Sequence, residues 1–122
     1  MFKKTALLKK AIENRHYAIV HQLDSYKKIF EKIDSIRLSA VSDNKLKEIS
    51  AELKYRAGKR QPLDGLLIQS FALVREVSRR VLGMYPFPEQ VMAGIALHQG
   101  KIVEMQTGEG KTLAAVMPAC LN

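Results

Sequence analysis

The sequence predicts a mainly α chain that closes on a short strand, a glycine-rich loop and the opening of a further helix. Three observations carry this reading. Apolar residues recur at helical spacing over three segments, glycines at 58, 83 and 100 punctuate them, and the short apolar run KIVEM at residues 101–105 leads into MQTGEGKT at 105–112. With 122 residues the chain is one ordinary domain or a piece of a larger one. Its 47% hydrophobic and 26% charged residues suit a globular protein rather than a disordered one.

In the first segment Ile12, Ile19, Leu23, Tyr26, Phe30 and Ile33 fall on one face of a long helix ending near Leu38. Lys4 and Arg15 interrupt the side that carries Leu8 and Ile12, so the stripe suits a core or a partner helix better than a membrane surface. Ser42 and Asp43 offer N-cap side chains to a second helix, with Leu46, Ile49 and Leu53 inward and Gly58 as its stop. A third helix is expected from about Leu66 to Leu82, closed by Gly83. Phe71, Val74, Val77, Ser78 and Val81 share one side, while Arg75, Arg79 and Arg80 face elsewhere and Glu76 can pair with Arg79 or Arg80. The prolines of YPFP at 85–88 break the chain, and a short apolar helix then runs from Gln90 to Leu97 and turns at Gly100. A last helix opens at Lys111.

The charge is unevenly placed. Residues 1–60 hold fifteen Lys and Arg against seven Asp and Glu, whereas residues 61–122 hold five of each. A basic helical segment, 1–60, is thereby set off from a neutral one, 61–122, that carries the glycine-rich loop. The excess suits an anionic partner (lipid headgroups, nucleic acid or an acidic protein) or a well-solvated basic surface. No apolar run approaches the roughly 20 residues of a membrane span. The N-terminal Ala6-Leu7-Leu8 is too short for the core of a secretory signal. Cys120 is the single cysteine, which excludes an internal disulfide and fits a reducing cytosol. His16, His21 and His98 share no ligand spacing with a cysteine or carboxylate, and no metal site is expected from them.

The loop carries the strongest chemistry. Triphosphate oxygens are held by backbone N–H groups converging at a helix N-terminus. Gly108 and Gly110 let the backbone wrap closely, Lys111 would meet the β- and γ-phosphates, and Thr112 would offer its hydroxyl to Mg²⁺. Met105 stands where the general phosphate-loop pattern has its first glycine, while T-G-x-G-K-T is the form found in helicase-like motors. Upstream, the Gln90 amide can accept from adenine N6 and donate to N7, a pairing guanine does not offer, and Phe87 could stack on the base. The alternative is a helix-start glutamine that only faces solvent. Glu104 and Glu109 are not placed to activate water, so no catalytic residue is expected within the chain.

These motifs resemble the SecA family, the ATPase motor of bacterial preprotein translocation. FALVREVSRRVLGM at 71–84 is similar to the helix before the family's first nucleotide-binding domain. LHQGKIVEMQTGEGKTL at 97–113 resembles its phosphate-loop region almost residue for residue. PACLN at 118–122 is similar to the family's residues shortly after that loop, and SDNKLK at 42–47 to a helix start. The resemblance covers roughly residues 40–122. Met84-Tyr-Pro and Met105-Gln-Thr lean toward the accessory SecA branch. Pro88-Glu89 departs from the family's Asp-Val, Gln106 from a usual basic residue and Cys120 from a usual aromatic.

The resemblance implies that residues 101–112 start a RecA-like α/β domain. It implies that Gln90 reads adenine, and that Gly108, Glu109, Gly110, Lys111 and Thr112 hold ATP and Mg²⁺, with Met84, Phe87, Gln106 and Thr107 around them. It further implies SecYEG and preproteins as partners, contact of Lys3, Lys4, Lys9 and Lys10 with an acidic phospholipid surface, and a homodimer. It also implies localisation at the cytoplasmic face of the cell membrane, and nucleic acid is not expected. The family has a Walker B acidic pair and an arginine from a second motor domain, which this sequence lacks. The chain as written is therefore expected to be an N-terminal fragment that hydrolyses no ATP by itself. A DEAD-type RNA helicase, or a non-catalytic protein that binds membrane or a partner, are the alternatives.

Overall fold

The computed structural model describes residues 23–106, 108 and 110–122. Lys3, Lys4, Lys9, Lys10, Thr107 and Glu109 lie outside these residues, as do Ile12 and Ile19 of the first stripe. Helix α1 is described over 23–35, followed by α2 (Asp43–Gly58), a 3₁₀ turn (Leu63–Gly65), α3 (Leu67–Leu82), α4 (Pro88–His98) and α5 (Lys111–Leu121).

Tyr26 and Ile33 of α1, Leu67, Phe71 and Ala72 of α3, Val91, Ile95 and Ala96 of α4 and Met117 of α5 form one buried cluster. The core thus sits where α3 meets α4 and α5, and α1 lies across it. Helix α1 stops at residue 35, short of the Leu38 expected, as Ile36 N–H turns back onto the Ile33 carbonyl at 3.2 Å. Helix α2 starts as expected: the Ser42 hydroxyl accepts from Lys45 N–H at 3.3 Å, with Asp43 in the first turn beside the positive helix end. Gly83 ends α3 in the left-handed region, φ 66°, with its N–H on the Arg79 carbonyl.

Helices α4 and α5 approach closely. A Cβ on Gly94 would lie 3.0 Å from the Ala114 carbonyl oxygen and 3.2 Å from the Phe71 ring. Pro118 lies inside α5 and has no N–H to donate to Ala114, so the proline spares that carbonyl and the glycine makes room for it.

Val74, Val77, Ser78 and Val81 share one side of α3 as expected, and one expectation for this helix, that for Arg75, needs correction. Val77 and Val81 are exposed, facing a groove of about 970 Å³ bounded by α2, α3 and α5. Arg75, expected to face away from the core, is instead 3% exposed. Its guanidinium is held by Asp34 at 3.0 Å and by the Pro86 carbonyl at 3.2 Å, and lies against the rings of Tyr85 and Phe30. Helical spacing marks the positions of a face; it does not reveal that an arginine finds partners there.

Residues 101–105, expected as a strand, form no strand among the described residues. Ile102 is 100% exposed.

Glu76 is buried and carries the charge logic of α3. Arg79 binds it through two nitrogens at 2.6 and 3.1 Å and Arg80 through one at 2.7 Å. Arg80 also grips Asp43 and the carbonyls of Leu38 and Val41, fastening the α1–α2 connection to α3. The Arg79 hydrogen bonds, ahead of those from Arg80, hold the Glu76 carboxyl below its ordinary value of 4.5. A depressed carboxylate contributes stability that is present above the ordinary value and lost as pH falls through it toward the folded value. Stability should therefore fall as pH drops below 4.5. Glu76→Gln should lower stability at neutral pH and flatten that acid slope, as urea titrations at several pH values would read.

Candidate functional site

Helix α4 begins with Pro88 at its first position, where a missing N–H costs nothing. Gln90 is consequently the third helical residue, and its Oε1 accepts the Phe87 N–H at 2.8 Å. Pro88 thus opens the helix and Gln90 is anchored at its start. Its Nε2 donates to the Gly110 carbonyl at 3.5 Å, across 20 residues of sequence. A Cβ on Gly110 would collide with that amide. Glycine at 110 thus answers two demands, a left-handed φ of 75° and room for the Gln90 side chain.

Gly110 is the N-cap of α5, with no side chain capping that end, so the first N–H groups of the helix have no intrahelical acceptor. Lys111 and Thr112 occupy the first turn, both exposed. Gly108 has φ 89° and open space where a Cβ would stand. Gln106 is exposed before the loop. The first N–H groups of α5, the exposed Lys111 and the exposed Thr112 thus share one helix end, an arrangement suited to an anion.

Phe87, whose N–H holds Gln90, is 69% exposed, and Met84 is exposed too. The structure accordingly brings together two parts that the sequence keeps separate, the 84–90 segment and the 106–112 loop. Thr107 and Glu109 fall outside the described residues. Among the described residues no cluster of potential metal ligands occurs, and no helix is long and apolar enough to cross a membrane.

The SecA DEAD-like domain family matches residues 8–122. The chain belongs to the SecA family. This SecA-family chain is 53% identical over 102 residues to the protein translocase subunit SecA of Thermotoga neapolitana, covering 82% of the chain and 12% of that protein. It is 54% identical over 85 residues to the chloroplastic protein translocase subunit SECA1 of Arabidopsis thaliana, covering 70% of the chain and 8% of that protein. The chain therefore spans about a tenth of the length of these SecA relatives.

Sequence reasoning missed two groups around the site of this SecA-family chain. One is Arg75 with Tyr85 and Pro86. The other is Tyr26, whose hydroxyl donates to Gln99 Oε1 at 2.9 Å and accepts from Lys101 Nζ at 2.6 Å, joining α1 to the start of the extended segment. Both depend on contacts between residues far apart in sequence, and no local pattern signals them.

Proposed function

We propose that this chain supplies the ATP-binding loop and the adenine-reading segment of a SecA-type motor, which drives preproteins through SecYEG across the cytoplasmic membrane. The observation that carries the reading is the seating of the Gln90 amide on Gly110, which sets a base-selective side chain beside the phosphate loop. Gly108, Glu109, Gly110 and Lys111 then bind the triphosphate through N–H groups and charge, and Phe87 and Met84 flank the base, with Gln106 and Thr107 beside the loop. The exposed Thr112 hydroxyl, one residue into the helix after Lys111, would be the group to hold Mg²⁺ bound with the nucleotide. Mg²⁺ supplies charge neutralisation there, and the chain's own part is to hold and orient the nucleotide.

In this reading residues 101–105 are the first strand of a RecA-like sheet, pairing with segments supplied elsewhere in the motor, and residues 61–122 open its nucleotide-binding domain. The basic segment 1–60, with Lys3, Lys4, Lys9 and Lys10, faces acidic phospholipid at the cytoplasmic side of the membrane, each cation worth at most about 1 kcal/mol there. SecA-family membership favours this over an RNA helicase.

The test uses the natural-length protein with inverted membrane vesicles carrying SecYEG and a preprotein. ATP should drive uptake, GTP should support less than about a tenth of it, and vesicles should stimulate hydrolysis. Equal uptake with ATP and GTP, or hydrolysis stimulated by RNA and not by vesicles, would overturn the reading.

A further inference from the structure

Arg75 lies on α3, outside both the loop and the helix that carries Gln90, and its contacts end on the backbone that leads to Gln90. Its Nη2 donates to the Pro86 carbonyl at 3.2 Å, the carbonyl of the peptide bond whose nitrogen is Phe87 N. That same Phe87 N–H is donated to Gln90 Oε1 at 2.8 Å. The guanidinium of Arg75 lies 4.2 Å from the centre of the Tyr85 ring, and its Nη1 is pinned by Asp34 of α1 at 3.0 Å. One buried, planar cation thus holds both the ring and the carbonyl of residues 85–86 in register. The nitrogen side of the same peptide carries the hydrogen bond that orients the Gln90 amide.

An arginine does this where a lysine would not. A flat guanidinium can satisfy Asp34 and the Pro86 carbonyl through separate nitrogens while stacking on Tyr85, whereas an ammonium is a compact point charge. Its Nε has no hydrogen-bond partner among the described residues, so the ends of the fork, rather than its stem, define the orientation.

We infer that Arg75 is a positioning residue for nucleotide-base selection: with Tyr85 it fixes residues 85–87 so that the Gln90 amide presents the donor and acceptor that distinguish adenine from guanine. This rests on the proposed nucleotide reading and goes beyond it, because Arg75 touches neither base nor phosphate. Residues in the loop itself hold the triphosphate, so a change at Arg75 should act on the base and spare the phosphates.

The experiment measures ATP, GTP and inorganic tripolyphosphate binding by competition against a fluorescent ATP analogue. It uses the natural-length protein and its Arg75→Lys, Tyr85→Ala and Gln90→Ala variants, with circular dichroism to show that each is folded. Arg75→Lys should weaken ATP about tenfold and leave GTP and tripolyphosphate within about twofold. Tyr85→Ala, a substitution in a partly exposed loop, should weaken ATP about threefold with the same selectivity, which keeps the inference testable if Arg75→Lys does not fold. An equal loss for all three ligands in these variants would reduce Arg75 to a structural tie and overturn the inference, as would no loss at all. Gln90→Ala separates the two levels. If it abolishes ATP-over-GTP preference while Arg75→Lys and Tyr85→Ala do not, only the positioning role falls. If Gln90→Ala leaves the preference intact, the base-reading proposal falls and the positioning role with it.

Discussion

Lys111→Ala in the natural-length protein is expected to weaken ATP binding about 100-fold and to abolish turnover, while the helical content stays unchanged. Lys111 is exposed on the first turn of α5, so removing its ammonium leaves no hole in the core. What is lost is charge-assisted contact to phosphate oxygens, at about 1.5–3 kcal/mol for each hydrogen bond, and each 1.4 kcal/mol is about tenfold in affinity. Calorimetric titration with ATP would measure the first effect and phosphate release the second. Undiminished binding would mean that the open helix end does not hold the triphosphate. Lys111→Arg should recover part of the binding but not the geometry, because a guanidinium fork is wider than an ammonium.

Phe71→Ala is expected to cost about 3–5 kcal/mol in local stability, the range for removing a fully buried aromatic ring. Phe71 is 0% exposed, and its ring lies against Gly94, where α4 meets α5. The cavity would open directly beneath the contact that positions both halves of the nucleotide site. Amide exchange in α4 and α5 of the natural-length protein should accelerate by at least about a hundredfold, and ATP binding should weaken along with it. Phe71→Leu, which keeps most of the volume, should recover most of the protection. Exchange unchanged by Phe71→Ala would contradict the packing described.

Much of the fold was legible because its signals are local. Ser42 and Gly83 announce helix ends through cap chemistry, and the Glu76 pairings arise from i+3 and i+4 spacing. The parts that were not legible depend on contacts distant in sequence. Arg75 reads as a surface residue until Asp34, 41 positions earlier, and the Pro86 carbonyl are seen to enclose it. KIVEM has the composition of a strand, yet strand pairing needs a neighbour, and Ile102 is fully exposed among the described residues. Val77 and Val81 keep helical spacing but face the groove between α2, α3 and α5, where periodicity marks an apolar side without saying what lies against it. At the site, the motif announced the loop and amide chemistry suggested Gln90. Their meeting at Gly110 is a property of how α4 packs on α5.

The most direct test is a structure of the natural-length protein with Mg²⁺ and a non-hydrolysable ATP analogue. The triphosphate should be cradled by residues 108–112, with Mg²⁺ beside Thr112 and the adenine edge within hydrogen-bond distance of the Gln90 amide. A nucleotide bound with its adenine away from Gln90, or with its phosphates away from the α5 N-terminus, would contradict the proposed site.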